Sequence, residues 1–245
     1  YFPAIVPDVA IIRATTADER GNLSYEQEAA YLGGIDQAMS AHNNGGIVIA
    51  QVKRIVKSGA IRTQDVRVPG ILVDYMVEVP DQWQTTQTPH DPAISGEEVK
   101  PLSSFALMEF GVGKVIARRV AQELKPGWAV NLGFGVSANV PRIVLEEGKH
   151  GAVTWVIEQG PVGGVPMLEF LFGCSSNAEA IVPSPYQFMY FQAAGFDCAL
   201  LSFLQIDQHG SVNVSKLGVR PHVTAGAGGF VDITARARKI VFSGF

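Results

Sequence analysis

One glutamate followed by glycine and proline residues is the segment best suited to chemistry. Glu158 comes directly after an apolar stretch, residues 153–157, and is followed by Gln-Gly-Pro-Val-Gly-Gly-Val-Pro. A carboxylate at the carboxyl end of a buried parallel strand points into the crevice where open α/β proteins bind ligands. Glycine and proline cannot continue a strand or a helix, so nearby backbone N–H groups are free to face a ligand. The alternative is a tight strand–loop junction that carries a solvated surface glutamate.

A second glycine-rich segment could serve the same site. Residues 226–230 read Gly-Ala-Gly-Gly-Phe and follow a strand that ends in an Asp207-x-x-Gly210 turn. Backbone N–H groups in such loops can cradle a phosphate or a thioester oxygen, because glycine permits close approach. The candidate binding residues of the two segments are Gly163, Gly164, Gly226, Gly228 and Gly229.

The same half of the chain also matches a dinucleotide-binding pattern. Gly133-x-Gly135-x-x-Ala138 follows a predicted strand, and Glu158 lies at about the spacing of a ribose-binding acid. That pattern alone is weak, and Pro141 falls where the interior of the phosphate-binding helix should be. A proline there breaks or kinks the helix. We therefore disfavour dinucleotide binding.

Composition narrows the function classes. The chain has 245 residues, 47% of them hydrophobic, which is ordinary for a globular protein. Its net charge is −4 and the charges are scattered, so no basic patch indicates a nucleic-acid partner. The apolar runs are too short to span a bilayer, and we expect a cytoplasmic protein with no membrane partner. Cys174 and Cys198 lack metal-ligand spacing, so we expect no metal site and reduced thiols.

The elements that must position these residues alternate between strands and helices. Helical spacing predicts helices over 25–42 and 103–124, and short helical segments over 177–182 and 185–194. Alternation of this kind predicts an α/β fold with mostly parallel sheets. Apolar runs typical of buried parallel strands occupy residues 9–12, 46–52 and 198–205. Further strands are predicted over 71–79, 128–132, 153–157 and 239–242.

An internal repeat organises the chain. Residues 8–23 align without gaps with residues 197–212, at a constant offset of 189 residues. Each copy reads as a buried strand, an Asp-x-x-Gly turn and a short apolar return, which indicates duplication. We predict two similar open α/β domains, each incomplete in this chain. Residues 1–80 are assigned to the first domain, 81–102 to a polar linker and 103–245 to the second.

These motifs together resemble family I coenzyme A transferases. The segment from Val156 to Pro166 is similar to the catalytic segment of that family. Within it, the acetate or propionate CoA-transferase branch, whose two halves are fused in one chain, is the more similar. The other matching segments are Ala-Asp-Glu-Arg-Gly-Asn at 17–22, Val-Asn-Leu-Gly-Phe-Gly at 130–135, residues 203–216 and Gly-Ala-Gly-Gly-Phe at 226–230.

The resemblance implies a reaction and assigns roles. It implies transfer of coenzyme A from a short-chain acyl-CoA to a carboxylic acid through a glutamyl-CoA thioester on Glu158. The candidate glycines would then bind CoA or stabilise oxyanions. Coenzyme A is a substrate, and no tightly bound cofactor or metal is expected. The family also implies a homo-oligomer.

Two alternatives and one departure accompany the resemblance. An acyl-CoA hydrolase results if water reaches the glutamyl thioester, and a module that binds acyl-CoA without turnover is the non-catalytic alternative. This chain has Phe134 in the loop at 133–135, where members of the family that it resembles commonly have Ile. The larger ring is expected to narrow an acyl pocket.

Overall fold

The computed structural model describes residues 3–217 and 226–245, which form two compact units. The first unit is Tyr1–Glu98 and the second is Val99–Phe245. Each unit has its own hydrophobic core.

In the described part of the first unit, the helices and strands are β1 (Val9–Asp18), β2 (Leu23–Ser24), α1 (Gly34–Asn43), β3 (Ile47–Val56), β4 (Tyr75–Glu78) and α2 (Pro92–Ser95). The strands form a mixed sheet in the order β2-β1-β3-β4. The pairs β1–β3 and β3–β4 are parallel, and β2 is antiparallel to β1. Two short 3₁₀ turns, Thr63–Asp65 and Gly70–Leu72, precede β4.

The core of this unit follows the strand period of two. In β1, Ala10, Ile12 and Ala14 are buried, whereas Val9 and Ile11 are exposed. The buried face packs in one cluster with α1. The expectation of a strand buried on both faces is therefore wrong for the first half of β1, because the side chains on its second face, Val9 and Ile11, are exposed.

The segment that the sequence predicted as a linker packs within the first unit as far as Glu98. Gln82 and Gln84 are buried, and their side-chain amides donate to the Ala14 and Gln27 carbonyls at 2.8 and 2.9 Å. The Arg13 guanidinium donates to the Gln84 carbonyl. A polar composition therefore does not prevent this segment from being fixed by backbone hydrogen bonds.

In the described part of the second unit, the helices and strands are α3 (Val112–Ala121), β5 (Ala129–Leu132), α4 (Val140–Glu146), β6 (Thr154–Val156), β7 (Pro161–Val162), β8 (Val165–Pro166), β9 (Ser175–Ser176), β10 (Ala180–Ile181), α5 (Ser184–Gln192), β11 (Cys198–Leu201), β12 (Gln205–Ile206), β13 (Val212–Asn213), α6 (Phe230–Arg236) and β14 (Lys239–Phe242), with 3₁₀ turns at Leu102–Ser104, Val136–Asn139 and Glu169–Leu171.

The main sheet of this unit has the order β10-β7-β6-β5-β11-β14 over the described residues. The pairs β5–β6, β5–β11 and β11–β14 are parallel, which confirms the predicted α/β fold with mostly parallel sheets. The pairs β8–β9 and β12–β13 lie outside this sheet.

Helices cover both faces of this sheet. Cys198 and Leu200 of β11 belong to one buried cluster, with residues of α3 and α4. Ala199 and Leu201 belong to the other, with residues of α5 and α6. A central strand buried on both faces needs a continuous apolar sequence, which β11 has.

The predicted helices are longer than the observed ones. The helix predicted over 25–42 begins only at Gly34, after Leu32 adopts a left-handed backbone conformation with φ of 50°. The helix predicted over 103–124 begins at Val112, after Gly111 in an extended conformation. The helix predicted over 177–182 is wrong, because Ala180–Ile181 pairs with β7 as β10. Periodicity ignores such local backbone breaks.

The internal repeat holds at the level of single hydrogen bonds. The Asp18 carboxylate accepts from the backbone N–H groups of Arg20 and Asn22. Asp207 accepts in the same way from the residues at the same offset, His209 and Ser211. The registers of β1–β2 and β12–β13 also correspond position by position at that offset. The two copies therefore share one local structure as well as one sequence pattern.

Among the residues that the structure describes, no helix has both the length and the apolar character needed to cross a membrane.

Phe191 should be a major stabilising residue of the second unit. Its side chain is fully buried, and its ring packs against Phe188, Tyr190 and Phe196. We expect Phe191→Ala to lower the free energy of unfolding by about 3–5 kcal/mol, because it removes a large buried side chain and leaves a cavity. Denaturation in urea measures this. Phe110→Ala is the matched control, since Phe110 is 87% exposed, and its loss should stay below about 0.5 kcal/mol. Equal losses would contradict the core assignment.

Candidate functional site

Three neighbouring parallel strands of the second unit end at one cavity. The loop after β5 contributes Gly133 and Phe134, the turn after β6 contributes Glu158, and the segment after β11 contributes Ser202. The cavity has a volume of about 390 Å³. The carboxyl ends of adjacent parallel strands are where open α/β sheets bind ligands, and the cavity lies there.

The main chain around Glu158 is fixed by a tight turn. The Gly160 N–H donates to the Ile157 carbonyl at 2.9 Å, and the Ile157 N–H donates to the Pro161 carbonyl at 3.0 Å. Gly160 has a φ of 122°, and a Cβ at this position would overlap the Val182 carbonyl oxygen. A glycine is therefore required, both by the backbone conformation and by the close approach. The Ser184 hydroxyl donates to the Glu158 carbonyl at 2.8 Å and holds the turn from the start of α5.

The Glu158 carboxylate is half-buried and meets a backbone donor. Burial raises the pKa of Glu158, because the charged form loses hydration. The Gly229 N–H donates a hydrogen bond to the carboxylate, which lowers the pKa and partly offsets burial. The Gln159 side-chain amide lies 3.4 Å from Glu158 Oε1, at the limit for a hydrogen bond. The result is a partly dehydrated carboxylate held against a main-chain donor.

The structure brings some of the candidate glycines together with Glu158. Gly226, Gly228 and Gly229 line the same cavity as the carboxylate. A Cβ on Gly229 would lie 2.5 Å from Glu158 Oε2 and 2.6 Å from Phe188 Cε1. Gly229 has a φ of −78°, which any residue adopts, so the close approach is the reason for a glycine here.

Gly163 and Gly164 lie in a turn between β7 and β8, outside this cavity. The Gly163 N–H donates to the Trp155 carbonyl at 2.8 Å, so it is not free for an oxyanion. Both glycines have φ near 70°, and they connect β7 to β8 in a tight turn. A Cβ on Gly164 would overlap the Ser176 carbonyl. Neither residue lines the cavity described above. In this structure strand pairing uses the Gly163 N–H, and a CoA-binding role for Gly163 and Gly164 stays a prediction from the sequence.

The dinucleotide pattern has a packing explanation. A Cβ on Gly133 would lie 2.8 Å from the Leu200 carbonyl oxygen, and one on Gly135 would lie 2.6 Å from Ser202 Oγ. These glycines let the loop pack against β11. A 3₁₀ turn follows the loop, and α4 begins at Val140, with Pro141 in its first turn. Proline is tolerated there, so it marks a helix start and not the broken helix interior that the sequence suggested.

Aromatic side chains form one wall of the cavity. The rings of Phe134 and Phe172 meet edge to face, with centroids 5.6 Å apart. Phe134 remains 62% exposed. Among the described residues that line the cavity, Glu158 is the one charged side chain. The cavity thus combines one carboxylate with an apolar wall.

Sequence reasoning missed Ser184, Gln159 and Ser202. Ser202 directly follows β11, and its buried Oγ has no hydrogen-bond partner among the described residues. A polar residue directly after a buried parallel strand is a usable signal, and Ser202 shows it. Nothing in the sequence connects Ser184 to Glu158, because 26 residues separate them.

The described ranges 3–217 and 226–245 contain no group of three or more His, Cys, Asp or Glu side chains arranged to hold a metal ion. Cys174 and Cys198 form no disulfide, and burial raises the pKa of the Cys198 thiol to about 11.

Comparison with known proteins shows which proteins this chain is similar to. A family model described as "Coenzyme A transferase" matches residues 1–79. Caffeate CoA-transferase from Acetobacterium woodii is 40% identical over 250 positions, covering 100% of this chain and 48% of that protein. Acetate CoA-transferase YdiF from Escherichia coli K12 is 38% identical over 245 positions, covering 100% of this chain and 46% of that protein. The chain spans about half the length of these curated relatives.

A solved structure has the same fold over nearly the whole chain. The acyl-CoA transferase YdiF from Escherichia coli O157:H7, in a thioester complex with CoA, superposes with a TM-score of 0.86 at 38% identity. The match covers 98% of this chain and 46% of that one.

Gly229→Ala should disturb the Glu158 carboxylate specifically. The added methyl group would push on Glu158 Oε2 and on the Phe188 ring. We expect a loss of about 1–3 kcal/mol in the free energy of unfolding, the usual cost of overpacking, and a shifted carboxylate in a crystal structure.

The control for this substitution is Gly113→Ala. Gly113 lies in α3, and a Cβ there has no neighbour within 4 Å. Alanine in a helix is favoured over glycine, so this variant should gain up to about 1 kcal/mol. A Gly229→Ala variant as stable as the Gly113→Ala variant would show that the close approach imposes no constraint.

Glu158→Gln should stabilise the protein at neutral pH. The raised pKa of Glu158 means that the native state holds this proton more tightly than the unfolded chain, whose value is near 4.5. Wild-type stability therefore falls as pH rises from about 4.5 through the folded pKa. Glutamine does not ionise, so the variant should be the more stable form at about pH 8, with an advantage that shrinks towards about pH 4. Urea denaturation at both pH values measures this, and an advantage that does not depend on pH would contradict the burial argument.

Proposed function

The chain belongs to the coenzyme A transferase family, and from this membership and the geometry around Glu158 we propose that the protein transfers coenzyme A between an acyl-CoA and a carboxylic acid. The observation that carries the proposal is the half-buried Glu158 carboxylate, the one charged side chain among the described lining residues, held against the Gly229 N–H. Such a carboxylate is suited to nucleophilic catalysis, in which one difficult exchange is divided into easier steps.

In the first half of the proposed reaction, Glu158 becomes linked to CoA. A carboxylate oxygen attacks the thioester carbonyl, the carbon–sulfur bond breaks, and CoA leaves as a thiolate while an acyl-glutamyl anhydride forms. The thiolate then attacks the glutamyl carbonyl. The carbon–oxygen bond of the anhydride breaks, the original acid leaves as a carboxylate, and a glutamyl-CoA thioester remains. A second acid reverses these steps and departs as the new acyl-CoA.

Oxyanions form at both carbonyl carbons, so backbone donors are needed near Glu158. We assign this role to the loop that holds Gly226, Gly228 and Gly229, which lines the cavity beside the carboxylate. The Gly229 N–H already donates to the glutamate in the resting state. Because this N–H favours the anionic carboxylate, it opposes the rise in the pKa of Glu158 that burial causes.

We propose short-chain carboxylic acids, from acetate to butyrate and acetoacetate, as the substrates. A relative named for acetate, 38% identical over the whole chain, supports a small acid. The solved relative in thioester complex with CoA supports a covalent route. Cytoplasmic location and a homo-oligomeric state stay predictions from the sequence.

Covalent CoA transfer to Glu158 is directly measurable. The natural full-length protein, incubated with acetyl-CoA and no acceptor acid, should gain the mass of CoA less water, and peptide mapping should place it on Glu158. Glu158→Gln should show no adduct and lose exchange by about 10⁴-fold or more, as expected for removal of a nucleophile. Glu109→Gln, at an exposed position of the same unit, is the matched control. It should still form the CoA adduct and retain the exchange activity.

The other outcomes separate the alternatives. An adduct that decays with release of free CoA, without an acceptor, would indicate a hydrolase. CoA binding without any adduct would indicate a binding module and would return Glu158 to a structural role.

A further inference from the structure

We propose that the Phe134–Phe172 pair is the specificity-determining wall for the acyl group, and that it selects monocarboxylic acids with an uncharged tail. This inference rests on the proposed function, because it assigns the part of the Glu158 cavity that would hold the acyl chain during CoA transfer. It goes beyond that function by naming the residues that choose between acids.

The first support is the chemical character of the cavity. Apart from Glu158, the described lining residues are uncharged, and the aromatic pair gives the cavity an apolar wall. An acid with a second carboxylate would bring that charge into a partly dehydrated space that offers it no cationic partner among the described lining residues. Burying a charge without a partner is costly. A methyl group in the same place meets no such cost.

The second support is that Phe134 is exposed within the cavity. A phenyl ring that is 62% exposed leaves apolar surface in water, although its edge-to-face partner Phe172 covers part of it. An exposed apolar surface inside a cavity is typical of a ligand-binding wall. The cavity volume of about 390 Å³ also leaves room for more than a two-carbon acyl group.

The third support is that the backbone beneath Phe134 has little room to withdraw. Its neighbours Gly133 and Gly135 pack so closely on Leu200 and Ser202 that neither could carry a Cβ without displacing its contacts. The Gly133 N–H also donates to the Leu200 carbonyl at 2.7 Å. The ring is therefore presented by a fixed loop, and Phe172 limits its rotation. A fixed aromatic wall discriminates better than a mobile one, since little of its binding energy goes into ordering.

The test uses the second half of the reaction, in which CoA is already attached. The natural full-length protein is loaded with acetyl-CoA, freed of small molecules and mixed with acetate, butanoate or succinate, and acyl-CoA formation is followed in single turnovers. The attacking acid forms a mixed anhydride with Glu158 as the CoA thiolate leaves, and the thiolate then takes the new acyl group. Because CoA is present in every reaction, differences in rate constant report on the tail of the acid.

Butanoate and succinate are the critical pair, because they share a four-carbon chain and differ by a methyl against a carboxylate. We expect wild type to favour butanoate over succinate by at least about 100-fold. Phe134→Ala should lower the second-order rate constant for butanoate by about tenfold and change that for acetate by less than about twofold. Phe134→Leu should restore most of the butanoate rate. Phe172→Leu should also lower the second-order rate constant for butanoate. Phe110→Ala should leave the rate constants for all three acids unchanged.

Three results would overturn the inference. Equal rates for butanoate and succinate would show that the cavity does not reject charge. A faster butanoate reaction in Phe134→Ala would show that the ring blocks the tail instead of binding it. An equal loss for all three acids would place the pair against the CoA arm. Since each of these results still requires the loaded Glu158 adduct, failure of the wall differs from failure of the proposed function, in which no adduct forms.

Discussion

The close approach of the Gly229 backbone to the Glu158 carboxylate is the constraint around which the second unit is built. The contact requires a residue without a side chain, because a Cβ at Gly229 would overlap both the carboxylate and the Phe188 ring. It also requires the segment before α6 to reach the turn after β6. The parallel part of the sheet makes this possible, because β6, β5, β11 and β14 all end on the same side. The same contact supplies the hydrogen bond that partly offsets the effect of burial on the pKa of Glu158.

The strands and the repeat could be read from the sequence, whereas the helix boundaries could not. Continuous apolar runs predicted β5, β14 and the start of β11 closely, because a strand in a sheet covered by helices has no polar face to confuse the pattern. The strand predicted over 198–205 was too long, since β11 ends at Leu201. The Asp18 and Asp207 turns were predictable because the turn needs a short acceptor and a glycine at fixed positions. Helix starts depend on backbone angles at single residues, such as Leu32, whose left-handed conformation no periodicity shows.

The candidate site also contains residues that the sequence predicted and residues that it did not. Glu158 and the glycines near Gly229 were predictable because a carboxylate after a strand and a glycine-rich loop are local signals. The hydrogen bond of the Gly163 N–H could not be predicted, because its acceptor is a carbonyl of the neighbouring strand and only the folded register shows that pairing. Ser184 was missed for the same reason, because its contact with Glu158 joins residues far apart in sequence. Local chemistry is visible in a sequence, whereas the use of a hydrogen-bonding group is a property of the fold.

The turn that carries Glu158 is fixed through contacts of its own main-chain atoms, whereas the aromatic wall of the cavity consists of side chains. Gly160 packs on a backbone carbonyl, and the Glu158 carbonyl is held by a hydroxyl at the start of α5. Single substitutions at Phe134 or Phe172 leave all of those contacts in place. Over evolutionary time, lineages that inherit this architecture can therefore diverge in the molecules they accept while the reactive carboxylate stays where it is. The division of labour between backbone and side chain makes the scaffold evolvable without rebuilding it.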